Sequence, residues 1–354
     1  METESTDSII IAKEYISMKK GLVLLAVAVL LTACSTASPQ PATTNPTTTE
    51  TTVTETTQAP PLRLTIACTA PEDSLLGQGA AAFSEKLETL SGGSVTCSLL
   101  AGGTMGTDTE VISMLQSGNC DVSLLPVSAL TTQCPELGVL GLPFLFESYQ
   151  EARELLGDQA MFSESLAAPG LRSLGWMTTG FRQVTANRAI STPADFQGLA
   201  IQTQPDELHQ AVFQALGAVP TMVSADELYD ALEQGAVDGQ ESSYLSIDNR
   251  DLCRVQSHVM ETNHVLELHI LAISDAAYQN LTDQQRTWLE QAAKDAVDIQ
   301  WAAAMEENEV AKQSCIEKGM TAITLGRQSL VDAAGPVYDE YREQYGELMR
   351  AFNR

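Results

Sequence analysis

The strongest constraint on this chain is a run of short alternating elements between Gly180 and Ser243. Apolar, strand-like segments at Leu199–Thr203 and Val219–Val223 are separated by short helical segments with start and stop signals. Such alternation predicts βαβ units, because each helix carries the chain back across a sheet so that the next strand can pair in parallel. Thr192, Pro193 and Asp195 supply a hydroxyl cap, a pre-set φ and a first-turn acid, and Gly198 supplies the stop. Ser224 and Glu227 are spaced as a capping box before Leu228–Gln234, which Gly235 closes.

The residues of this stretch resemble the solute-binding subunits of TRAP transporters, the DctP-like extracytoplasmic binding proteins. The pieces that carry the resemblance are Gly180-Phe-Arg182-Gln, Asn187-Arg188, Thr192-Pro193-Ala-Asp195-Phe-Gln-Gly198, Leu216-Gly217-Ala218, Glu227-Leu-Tyr229-Asp-Ala231-Leu232 and Gly235-Ala-Val-Asp238-Gly239-Gln240-Glu241. It extends from about Leu62 to the C-terminus. It implies an α/β, two-lobed periplasmic-binding-protein-like fold. Each lobe would be a mainly parallel sheet flanked by helices, and one long helix would span both. Lobe I is expected from residues 62–185 plus 274–313, and lobe II from 186–273 plus 314–354. The strand-like Leu171–Thr185 would cross between lobes and His258–Ile273 would return, making a hinge that closes on a ligand. The implied function is capture of a small polar solute, an organic acid by preference, and delivery to the small and large membrane subunits of a TRAP transporter. A lipid-anchored sensor that presents its solute to a signalling receptor is the alternative reading.

Met18-Lys19-Lys20 followed by apolar Gly21–Leu31 reads as the basic and hydrophobic regions of a signal peptide. Translation is therefore expected to begin at Met18. Leu31-Thr32-Ala33-Cys34 resembles a bacterial lipobox, which would make Cys34 the lipidated N-terminus of a protein held on the outer face of the membrane. The apolar run is short for a span of about 20 residues, which favours the lipoprotein over a membrane anchor. Ser35–Pro61 is rich in Thr and Pro without apolar periodicity, so it is expected to be a disordered tether reaching about 30 Å. The chain from Leu62 onward is long enough for two lobes with their own cores. A net charge of −27 excludes a nucleic-acid footprint, which needs a basic surface.

In the first lobe the expected elements are a strand at Leu62–Ala67, a helix at Leu75–Leu90, a strand at Ser94–Leu100, a helix at Asp108–Ser117 and a strand at Asp121–Leu125. The loop Gly102–Gly106 then falls at the carboxyl end of a strand, where open α/β sheets place ligands. Gly77-Gln-Gly79 imitates a dinucleotide fingerprint, but several residues separate it from the strand, so it reads as helix packing. Phe144 and Phe146 read as core. Asp283–Lys318, capped by Thr282 and Gln285, is the longest helical pattern. It lacks the sustained heptads of a coiled coil. Met320–Ile323 and Gln328–Arg350 read as a last strand and helix.

No nucleophile or metal motif accompanies these elements, so neither an enzyme nor a cofactor is expected. His209, His258, His264 and His269 read as structural, and no metal site is expected. A ligand carboxylate is best met by the planar fork of an arginine. The resemblance places such an arginine on the strand after the Asp195–Gly198 turn, where this chain has Gln202. It places an asparagine after Glu241, where this chain has Ser242, followed by Ser243 in place of a proline. Arg188 is then expected to be the charged anchor, with Gln202 and Ser242 as neutral hydrogen-bonding groups. Arg182 and Asp108 complete the expected set, Arg182 also holding the hinge strand. Cys68, Cys97, Cys120, Cys134, Cys253 and Cys315 make an even number in an exported chain, which points to disulfides. Cys68 and Cys97, on neighbouring strands, are the first expected pair.

Overall fold

In the computed structural model the described residues are 60–157 and 160–352. The expected signal peptide, Cys34 and nearly all of the tether lie outside them.

Lobe I begins as two βα units. Strand β1 (Leu62–Cys68) leads to helix α1 (Leu75–Leu90), strand β2 (Val95–Leu100), helix α2 (Asp108–Ser117) and strand β3 (Val122–Pro126). The Ser74 hydroxyl caps α1. Thr107 and Glu110 form a full capping box on α2, which ends on left-handed Gly118. Each helix crossing returns the chain in parallel, giving the order β2-β1-β3.

Strand β4 (Leu171–Ala186) is the hinge strand. Its first part pairs with β9 (Leu266–Ser274) in lobe I, as far as Phe181 opposite Leu266. From Arg182 onward it lies in lobe II, between β7 (Gly239–Ser243) and β8 (His258–Glu261). Strands β5 (Ala200–Gln202) and β6 (Val219–Thr221) extend that sheet in parallel beyond β7, and β10 (Thr321–Thr324) pairs in parallel with β8. Helix α3 (Glu207–Ala215) carries the chain from β5 to β6, and helix α4 (Leu228–Glu233) from β6 to β7. The lobes are thus mixed sheets and not mainly parallel ones: the βα units pair in parallel, while the long hinge strands β4 and β9 pair antiparallel with their neighbours.

The expected return crossing is two strands, not one. The chain breaks between β8 and β9, where Asn263 takes a φ of 45°. Leu266–Ser274 therefore lies in the first sheet, and the lobe boundary falls at this break, not at residue 273. The capping box expected at Ser224 is absent: α4 starts on Glu227 without a side-chain cap, and the Ser224 hydroxyl donates to the Glu227 carboxylate at 2.6 Å.

Helix α5 (Asp283–Glu317) starts at the Thr282–Gln285 capping box and runs for 35 residues, about 50 Å at 1.5 Å per residue. It packs on α1 in lobe I and on the helix at Tyr244–Asn249 in lobe II. Its buried face carries polar groups because β4 is bulged beneath it and leaves backbone groups unpaired. The Gln300 amide answers Thr178 in both directions, at 3.1 and 2.6 Å. The Trp301 indole donates to the Trp176 carbonyl at 2.7 Å, and the Asn308 amide to that of Thr179 at 2.8 Å. Gly180 has a φ of 117°, and a Cβ there would lie 2.6 Å from the Asn308 amide nitrogen, so glycine is required where helix and hinge strand meet. Gly79 serves close packing likewise, lying against Gln300 and Met177.

The expected last helix is split, into α6 (Arg327–Ala333) and α7 (Gly335–Ala351), because Pro336 cannot continue a helix but suits its first turn. Helix α7 returns to lobe I, and Tyr345, Met349 and the following Phe352 are buried in its core.

The Cys68–Cys97 disulfide is not formed, and all six described cysteines are free. The register sets Cys97 opposite Leu64, leaving Cys68 four residues further on. At roughly 3.3 Å per residue that is about 13 Å, twice the reach of a disulfide. Burial pushes the Cys97, Cys120 and Cys134 thiols up to about 11 and that of Cys315 to about 12. We expect negligible alkylation of these thiols in the native protein and alkylation of all six in denaturant without reductant. Mass spectrometry showing any pair protected in denaturant would contradict this.

Candidate functional site

The hinge strand carries Arg182 to the point where the lobes meet. Its side chain is 5% exposed, beside Glu241 of β7 at 0% and Glu267 of β9 at 34%. The Arg182 Nε–H donates to the Glu241 carboxylate. One terminal nitrogen donates to Glu267 at 2.6 Å, and the other to the Glu241 carbonyl at 2.6 Å. The Gln204 carboxamide, turned so that its oxygen faces the guanidinium, accepts from both terminal nitrogens at 3.2 and 3.1 Å. His264 Nε2 stands 3.2 Å from the same Glu241 oxygen. Burial alone would push the Glu241 carboxyl up, but the Arg182 charge and the His264 hydrogen bond hold it well below the usual range. Burial pushes the His264 imidazole below its ordinary value, and a carboxylate can only accept, so Nε2 donates to Glu241.

Arg182, Gln204 and Glu267 line two cavities, one on each side. The larger, of about 730 Å³, is also walled by Gln202, Thr203, Gln240, Ser242 and Thr179. The smaller, of about 420 Å³, lies between residues 126–141 of lobe I, the start of α3 in lobe II, and Tyr341 and Tyr345 of α7. Of the residues lining the larger cavity, Thr179, Thr203 and Ser242 have hydroxyls, and Gln240 an amide oxygen, that are buried without a hydrogen-bond partner. A buried polar group without a partner costs about 1–3 kcal/mol. Four such residues line one cavity.

The structure therefore brings Arg182, Gln202 and Ser242 together on one cavity. Gln202 ends β5, and its amide nitrogen donates to the carbonyls of Thr203 at 3.0 Å and Val223 at 3.4 Å. Arg188 is not with them. β4 ends at Ala186, so Arg188 falls in the exposed connection beyond it, where it donates to the Asp195 carbonyl. The anchor expected at Arg188 is corrected accordingly: it braces the turn at Pro193–Phe196. Asp108 opens α2 and accepts from the Thr69 hydroxyl at 2.8 Å, lining neither cavity. Sequence reasoning missed Glu241, Glu267, Gln204 and the pair Asp206–His209. Glu241 lies within the Gly239-Gln240-Glu241 motif, but its partners come from distant strands. Phe144 and Phe146 are core, at 2% exposure each. Among the described residues no group of His, Cys, Asp and Glu is arranged to hold a metal, and no helix is long and apolar enough to cross a membrane.

Two lobes joined by hinge strands, with a polar cleft at the hinge, define a solute-binding protein of the periplasmic-binding-protein architecture. More narrowly, the chain belongs to the bacterial extracellular solute-binding proteins of family 7, DctP, whose family model matches residues 66–344. It is 29% identical over 297 residues to the C4-dicarboxylate-binding periplasmic protein DctP of Rhodobacter capsulatus, covering 81% of this chain and 89% of that one. It is 34% identical over 224 residues to the uncharacterized protein y4mM of Sinorhizobium fredii, covering 62% of this chain but spanning only 41% of that longer protein. Among solved structures, a TRAP periplasmic solute-binding protein from Ochrobactrum anthropi superposes with a TM-score of 0.79 at 29% identity, covering 83% of this chain and 95% of that one. In that protein the C-terminus is bound in the ligand-binding pocket. Another from Polaromonas sp. JS666, bound to D-erythronate, superposes at 0.71 with 28% identity, covering 82% and 98%.

Proposed function

We propose that this protein is the extracytoplasmic capture subunit of a TRAP-type transporter. It binds a small organic acid in the cavities flanking Arg182 and hands it to the membrane subunits, while a lipid on Cys34 and the Thr/Pro-rich tether keep it at the outer face of the membrane. One observation carries the reading: the 730 Å³ cavity beside Arg182 is lined by Thr179, Thr203, Gln240 and Ser242, each carrying a buried polar atom without a hydrogen-bond partner. A cavity of this size suits a small metabolite. The relatives' acid ligands, a C4-dicarboxylate and D-erythronate, support the ligand class. The solute's oxygens would complete the hydroxyls of Thr179, Thr203 and Ser242, with Gln202 giving neutral hydrogen bonds where the wider resemblance places a charge. A solute carboxylate would compete with Glu267 for Arg182, since Glu267 is the partner nearest solvent.

The test is a thermal-shift screen of C4-dicarboxylates, keto acids, sugar acids, sialic acid and neutral sugars. At 100 times its dissociation constant a true ligand adds about 2.7 kcal/mol, or a shift of roughly 5 °C or more. Ser242→Leu, which fills the cavity wall, is expected to remove the shift. A screen in which only neutral sugars shift the protein, or nothing does, overturns the acid reading.

A further inference from the structure

We propose that His209, oriented by Asp206, is a proton-dependent anchor for an acidic group of the solute in the 420 Å³ cavity, supplying the cationic donor that Gln202 cannot. This rests on the organic-acid reading above and adds to it that capture strengthens as the pH falls.

The geometry begins at the start of α3. Asp206 is the N-cap, and one carboxylate oxygen accepts from the His209 backbone N–H at 2.9 Å. The other oxygen meets His209 Nδ1. A carboxylate can only accept, so Nδ1 carries a proton and the ring is fixed with Nε2 turned away. Nε2 is buried, has no hydrogen-bond partner, and belongs to a side chain lining this cavity beside Arg182 and Gln204. It is thus an oriented, unused polar atom of a residue whose side chain shares this wall with a guanidinium.

Its chemistry depends on charge. With the ring neutral, Nε2 only accepts and would oppose a carboxylate; with the ring protonated, it donates. The surroundings decide how readily it protonates. Arg182 of β4 is already matched by Glu241 of β7 and Glu267 of β9, while Asp206 and Glu207 add further acid to the wall. His264, before β9, is held below its ordinary value by burial, and Tyr341 and Tyr345 of α7 are raised by burial. Burial pushes the His209 imidazole down, but the Asp206 hydrogen bond and the Glu241 and Asp206 charges outweigh it and leave it raised. Without a proton on His209 this acid-rich wall repels an anion; the proton both offsets that charge and provides the donor.

The same pair sets a stability profile. The native His209 value lies above the unfolded 6.5. Its stabilisation is complete below 6.5 and is lost as the pH rises through the raised native value. Asp206 is lowered from 3.8, so its share is present above that value and is lost as the pH falls through the depressed one.

The experiment is calorimetric titration of the protein with succinate, malate, D-erythronate and D-galacturonate at about pH 5.5, 6.5 and 8, each in two buffers of different ionisation heat. The expected result is an acid that binds about tenfold or more tightly at the lowest pH than at the highest, with proton uptake seen as buffer-dependent heat. His209→Gln should flatten this pH dependence while melting at the wild-type temperature at the highest pH. Ser242→Ala should weaken binding equally at every pH. Acid binding with no pH dependence, or with a dependence that survives in His209→Gln, overturns the anchor and leaves the acid reading intact. Absence of acid binding at every pH overturns both.

Discussion

Arg182→Met is expected to cost about 3–5 kcal/mol of stability, because it leaves a buried carboxylate without its counter-charge. At roughly 2–4 °C per kcal/mol, the melting temperature should fall by about 10 °C. Arg182 and Glu241 are 5% and 0% exposed, so neither can turn to water. Glu267, at 34%, can do so, and its loss contributes less. Glu241→Gln should be nearly as damaging, because it removes the charge that Arg182 was buried to meet. The paired replacement Arg182→Met with Glu241→Leu should recover a substantial part of the loss, as buried ion pairs replaced together by apolar groups often do. Urea denaturation of Arg182→Met, Glu241→Leu and the double forms a mutant cycle, and a coupling below about 0.5 kcal/mol would contradict a joint role. All three variants should fail to bind the solute, including the double that regains stability. Binding retained in that double would remove Arg182 from the site.

The second large effect is at Trp301. Trp301→Ala is expected to cost about 3–5 kcal/mol, the range for emptying a large buried aromatic site. Its ring is 1% exposed and lies edge-on to Tyr149, with centroids 6.2 Å apart. The substitution also leaves the Trp176 carbonyl of the bulged strand without the indole N–H that meets it. Because α5 is packed on both lobes, loosening it at Trp301 should lower the denaturation midpoint of the whole molecule and not of one lobe alone. Trp288, on the same helix but only partly buried, should cost clearly less on truncation. Equal losses at the two positions would mean that general helix packing, and not the seam over β4, sets the stability.

Much of the fold could be read from local patterns. The start of α5 follows from its capping box, and α1, α2 and their neighbouring strands from apolar period, all of which act within a few residues. Local chemistry also misled. Ser224 and Glu227 have capping-box spacing, yet they bond to each other, because Glu227 itself occupies the cap position of α4. Cys68 and Cys97 do lie on neighbouring strands, but a pairing register four residues out of step makes the difference between a bond and two thiols. Arg188 is a sound choice by charge and a poor one by position, since the sequence does not show that the connection beyond β4 turns its side chain onto Asp195 and not into the cleft.

The sequence by itself determined the α/β class, the family, the long helix and the polar character of Gln202 and Ser242, because periodicity, caps and motif spacing are written in neighbouring residues. Only the tertiary structure decided that Arg182 is saturated by Glu241 and Glu267, that His209 lines the same cleft with a buried nitrogen that has no hydrogen-bond partner, and that α7 returns to lobe I. The Arg182 contacts, for example, join atoms of β4, β7 and β9 that stand 59 and 85 positions apart in the chain. Burial and electrostatics act on distances in space, and no local pattern encodes them.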